Sequence, residues 1–97
     1  MNMQAMLKQA QAMQRDMMKA KEEIDNTTFV GENGLVKVTM KGTKRIEKVD
    51  IQKEDDFSSD DLEMLEDMIM VAVNDCLGQI DKETEAKLGK YTKGLPF

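Results

Sequence analysis

Three kinds of side chain in this sequence could do chemistry. The first is a line of cations. Lys8, Arg15 and Lys19 follow one another at seven and four residues, a spacing that stacks them on one face of a helix. Such a line suits phosphate oxygens, which carry the sequence-independent part of nucleic-acid binding. Residues 82–97 are basic too, with Lys82, Lys87, Lys90 and Lys93 against Glu83 and Glu85. A third cluster is Lys41, Lys44, Arg45 and Lys48. Each set also fits an ordinary solvated face. The second kind is a run of eight carboxylates from Glu54 to Asp67 with no base among them. It suits a helix start, where the dipole favours negative charge. It has neither the central Gly nor the final Glu of an EF-hand. The third kind is one thiol, Cys76, at a position that reads as a small buried hydrophobe.

The missing residue types exclude more than the present ones suggest. The chain has no His and a single Cys. That removes the usual general base, the Ser-His and Cys-His dyads and the commonest zinc ligand. An intrachain disulfide and a thiolate metal cluster are excluded as well. Asp and Glu alone could hold Mg²⁺, but their placement at a helix start makes no convergent pocket. The expectation is therefore no catalytic residue, no metal, no cofactor and no small-molecule substrate.

Ninety-seven residues with 40% apolar content allow one small domain with a thin core. No apolar run of about 18 residues is present to span a membrane, and the first residues lack a signal-peptide layout. A reducing, cytoplasmic setting is expected. The net charge of −5 is uneven. Residues 1–53 carry ten basic and seven acidic side chains, whereas residues 54–97 carry four and twelve. Any approach to a polyanion must present the basic subset and turn the acidic run away.

The elements that position these groups follow from periodicity. Met3, Met6, Ala10, Met13, Met17, Ala20 and Ile24 alternate in steps of three and four, a strict heptad seam on a helix within 1–26. Met and Ala make a weak, adaptable seam, which can pack on the protein's own sheet or on another chain. Three strands follow within 27–51. Thr27–Val30 is β-branched and aromatic, Asn33-Gly34 offers a tight turn, and Val36, Val38 and Met40 alternate with polar residues. Arg45–Ile51 is the third strand, with Val49 and Ile51 on its apolar face. Short turns make the sheet an antiparallel meander. After a polar loop, Ser58 or Ser59 caps a second helix over 59–89. Its apolar face runs from Leu62 to Ile80, Gly89 is its stop, and 90–97 is a tail. The class is α+β, helix–three-stranded sheet–helix. A helix of about 33 Å must overhang strands of about 20 Å, so Met3, Met6 and Ala10 need cover, and a second copy is the simplest source.

Gly34-Leu35-Val36-Lys37-Val38 with Gly42 and then Val49-Asp50-Ile51 resembles the central signature of the YbaB/EbfC family of bacterial nucleoid-associated proteins. Leu62 to Ile69 with Ala72-Val73-Asn74-Asp75 resembles that family's second helix. Lys8 to Gln14 and the terminal Leu95-Pro96-Phe97 also fit. The likeness covers nearly the whole chain. Cys76, where Ala is usual, and the short termini depart from it. The resemblance implies a tweezer-like homodimer with protruding helices that binds duplex DNA in the nucleoid and compacts or bends it. No recognition motif for base readout is present. On that shape the DNA contacts are assigned to Lys8, Arg15, Lys19, Lys87 and Lys90, ahead of the hairpin cluster. Met3, Met6, Ala10, Met13 and Met17 are the dimer or core seam. A different reading is a protein-interaction module of the recombination or replication machinery, using the acidic run and the Met-rich helix.

Overall fold

A computed structural model describes residues 2–92 of the chain. Helix α1 spans Met3–Asp25, and its start is capped by Asn2, whose Oδ1 accepts from the Ala5 N–H at 2.7 Å. Strands β1 (Thr28–Asn33), β2 (Val36–Lys41) and β3 (Ile46–Ile51) follow, then a 3₁₀ turn at Ser59–Asp61 and helix α2 (Leu62–Thr92). The Ser58 N–H donates to the Asp61 carboxylate at 3.0 Å at the start of that second helical segment. The sheet order is β1-β2-β3, antiparallel throughout, as the short turns dictate.

The core lies between one face of the sheet and α2. Phe29, Val36, Val38 and Met40 from the sheet meet Ala72, Cys76 and Ile80 from the helix, and all are buried. The approach is close because Gly31 lies under α2. A Cβ at Gly31 would run into the Ala72 carbonyl oxygen and stand 3.0 Å from Cys76 Sγ. A second close approach fixes α1. Gly42, in the β2–β3 turn, sits on the end of that helix, where a Cβ would strike the Ile24 carbonyl.

Of the boundaries that differ from the sequence expectation, two bear on the packing. The first hairpin turns on Gly34-Leu35 rather than Asn33-Gly34, since Asn33 pairs with Val36 and Gly34 takes φ of +55°. This is the arrangement with Gly first of a two-residue turn that matches strand twist. Helix α2 does not stop at Gly89 but continues to Thr92, so the tail is shorter than 90–97. Leu88 and Tyr91 still border α1 there, and tertiary packing outweighs the helix-breaking tendency of one Gly. Residues 93–97 of the expected tail lie outside the described residues.

The molecule is far from spherical. Its radius of gyration is 19.8 Å and its extents are 72 × 23 × 14 Å, against about 12.5 Å for a compact domain of this length. The length comes from both helices, since α2 is about 46 Å long at 1.5 Å per residue and α1 continues past its end. Its end near Ile24 abuts Ile80, Thr84 and Leu88 of α2, with Lys87 paired to Glu23 and Tyr91 reaching Met13 and Met17. The two helices therefore run antiparallel, and residues 3–10 of α1 extend past the end of α2.

Candidate nucleic-acid interface

Helix α1 presents opposite chemistries on opposite sides. At about 100° per residue, Lys8, Arg15 and Lys19 fall within about 40° of one another. The Met stripe lies about 180° away. No acidic residue precedes Asp16 on this helix. All three cations are exposed, and among the described residues none makes an ion pair. The helix is built to hold that line straight, since residues 3–25 contain neither Gly nor Pro.

The remaining basic residues are engaged differently. Lys87 is half-buried, and its Nζ stands 3.7 Å from Glu23 and 3.6 Å from Glu83. Lys90 lies over the Tyr91 ring at 5.0 Å, a cation–π contact that leaves its charge uncancelled. In the hairpin cluster, Lys44 pairs with Asp81 at 3.5 Å and Lys48 with Asp50 at 3.3 Å. Lys41 donates to Thr28 Oγ1 at 3.1 Å. Arg45 alone of that cluster has neither an ion pair nor a side-chain hydrogen bond among the described residues. Exposed pairs contribute under about 1 kcal/mol each, yet each places a carboxylate where a phosphate would have to come.

The acidic run sits at the other end of the molecule. Met68 touches Gly34 and accepts a hydrogen bond at its Sδ from the Leu35 N–H at 3.4 Å. The start of α2 is thereby held beside the first hairpin turn, a full strand length from the junction of α1 with the second. Charge is separated along the long axis, with the α1 tip basic and the Glu54–Asp67 end acidic.

The Met stripe divides into two parts. Its far end packs within the chain, where Ile24 is 3% exposed and Ala20 is half-buried. Exposure then rises toward the tip, to 37% at Met17, 52% at Met13, 55% at Met6 and 85% at Met3. A second apolar surface is on the sheet. Ile51, Val49 and Ile46 oppose the buried Val36, Val38 and Met40, so they share the core face. A bulge opposite Thr39 and Met40 puts Ile46 rather than Glu47 on that face. All three are nevertheless exposed, because α2 covers β1 and β2. The sequence expectation identified the apolar face of β3 but not that it lacks cover.

Among the described residues no group of three or more His, Cys, Asp or Glu could hold a metal ion. No helix there is long and apolar enough to cross a membrane. The Cys76 thiol donates to the Val38 carbonyl at 3.4 Å in the core, and burial pushes its pKa up, the setting of an unreactive thiol.

The chain is similar to known proteins over its whole length. It is 54% identical to nucleoid-associated protein LL0120 of Lactococcus lactis subsp. lactis, covering 100% of this chain and 99% of that one. A nucleoid-associated protein of Enterococcus faecalis is 50% identical over 98% of this chain and 92% of its own. The crystal structure of uncharacterized protein HP0035 from Helicobacter pylori has the same fold, with a TM-score of 0.75 at 19% identity, covering 97% of this chain and 99% of that one. The model of the YbaB/EbfC DNA-binding family matches residues 1–95. The fold and the sequence agree, and the chain belongs to the YbaB/EbfC DNA-binding family.

Proposed function

We propose that this protein is a nucleoid-associated protein of the cytoplasm that binds duplex DNA with little sequence preference and alters its path, without catalysing a reaction. The observation that carries this reading is the line of Lys8, Arg15 and Lys19 on α1, exposed and without an ion pair among the described residues, with no acidic residue before Asp16. Lys90 adds a charge near the junction of the two helices. Lys87 is the weakest of the five expected contacts, because Glu23 and Glu83 already hold it. The relatives' shared designation as nucleoid-associated proteins supports the same reading.

The protein acts as a homodimer in this reading. The uncovered strand β3, with Ile46, Val49 and Ile51, supports closure there, since an apolar sheet face favours burial. Two copies joined at their sheets carry two projecting α1 helices, which can hold a duplex between them.

The test is a gel shift on random duplex DNA at low salt. Reversing Lys8, Arg15 and Lys19 together to Glu abolishes the shift while helix content stays intact, because all three side chains are exposed. The same reversal at Lys41, Lys44 and Arg45 costs less. Loss of binding in the hairpin variant with retention in the helix variant would move the site to the hairpin. If the wild-type protein never shifts DNA at low salt, an interaction module of the recombination or replication machinery replaces this reading.

A further inference from the structure

The free part of the α1 seam has no cover among the described residues, and its pattern states what fits it. We infer that the tips of two α1 helices pair antiparallel along Met3, Met6, Ala10 and Met13, forming a self-association surface separate from the sheet face.

Three observations lead there. First, the seam is one continuous stripe, and α2 occupies only its far end. A groove of about 540 Å³ begins at Tyr91 and continues along Met17, Met13, Ala10 and Met6. Helix α2 lies antiparallel to α1 on this stripe, so a second antiparallel helix continues the same packing where α2 leaves off. Second, the free segment is complementary to its own copy. With two α1 helices antiparallel and centred near residue 8, Met3 faces Met13 of the other copy and Met6 faces Ala10. Met6 of each copy meets the small Ala10 of the other, Met3 meets the flexible Met13, and two-fold symmetry repeats both layers. Third, the positions flanking the seam are Leu7, Gln9 and Gln14, none of them charged. Two identical chains, each at −5 overall, therefore meet there without like charges opposed.

The overlap is short, about 15 Å for ten residues at 1.5 Å each, and its residues are Met and Ala. The pairing is accordingly weaker than burial of the sheet face and grows with local concentration. In the pair, Lys8 and Arg15 of both copies point away from the shared seam, in opposite directions. A joined pair of tips thus presents a cationic line on each side, one for each of two duplexes.

Sedimentation equilibrium over a broad concentration range tests the pairing on the full chain. Ile51→Glu first removes the sheet contact at an exposed position. In that background the mean mass doubles with concentration, and adding Met6→Glu, also at an exposed position, abolishes the doubling. Disulfide trapping fixes the geometry in a Cys76→Ala background. Met6→Cys mixed with Ala10→Cys cross-links faster than either alone. A mean mass unaffected by Met6→Glu overturns the proposal, and so does an unpaired tip at every concentration, which would assign the stripe to a different protein. Faster cross-linking of Ala10→Cys with itself overturns the antiparallel arrangement. The DNA reading stands or falls separately, since Lys8, Arg15 and Lys19 lie on the opposite side.

Discussion

Lys87 of α2 reaches across to Glu23 of α1, with Nζ 3.7 Å from the carboxylate, and Glu83 approaches the same ammonium at 3.6 Å. The pair ties the C-terminal half of α2 to the root of the projecting helix. It also uses a cation that the shape implied by the family resemblance assigns to DNA. Lys8, Arg15 and Lys19 have no such neighbour among the described residues, so equal formal charges on one molecule have unequal use.

Salt dependence of DNA affinity separates those uses. Each phosphate contact contributes a slope of roughly −0.9 in log affinity against log salt on duplex DNA. Arg15→Gln flattens the slope by about 0.9. Lys87→Gln leaves it nearly unchanged, because the cation is already compensated. A fluorescence-anisotropy titration at several salt concentrations reads both.

Gly31→Ala destabilises the fold. The added methyl enters the space of the Ala72 carbonyl and Cys76 Sγ, and overpacking of this kind costs about 1–3 kcal/mol. Urea unfolding followed by circular dichroism measures it. Gly78→Ala, where a Cβ meets nothing within 4 Å, stabilises the exposed helix position by about 1 kcal/mol instead.

Truncations along the α1 seam rank by position. Ile24→Ala costs about 2–5 kcal/mol, as a buried aliphatic does. Met3→Ala, at the exposed tip, changes monomer stability by under about 0.5 kcal/mol. Equal losses at the two ends would show that the whole seam is buried in the monomer.

Cys76 makes stability fall at alkaline pH. Its thiol is held neutral in the fold, first by desolvation and then by the nearby Asp75 charge, so its pKa lies above the ordinary 9.0. The unfolded thiol ionises first as pH rises. The contribution is therefore complete below about 9 and is lost as pH climbs through the folded value. Cys76→Ala removes this thiol-linked slope in thermal melts above pH 9. A thiol-specific reagent reacts slowly with the native protein and fast with the unfolded one.

The order of elements was legible because periods differ sharply here. The step of three and four over residues 3–24 and the alternation at Val36, Val38 and Met40 admit few alternatives. The line of Lys8, Arg15 and Lys19 was legible for the same reason. What spacing could not reveal was contact between distant segments. Lys87 meets Glu23 only after both helices are placed. Gly31 falls just past the Thr27–Val30 segment, and its importance shows only once Ala72 lies above it. Gly89 has the local features of a helix stop, and the outcome depends on packing of the final turns against α1. The bulge that presents Ile46 in place of Glu47 is likewise a property of paired strands.

The two long helices also govern how the molecule moves through water. A body of 72 × 23 × 14 Å drags more solvent than a sphere of the same 11.0 kDa, so it diffuses slowly for its weight. On a sizing column calibrated with globular standards, one copy elutes early and reads as an assembly. Its rotation is anisotropic as well, faster about the long axis than end over end. Amide vectors of α1, which lie along that axis, report the slower tumbling, so relaxation data fitted to an isotropic model would overstate the mass in the same direction as the column.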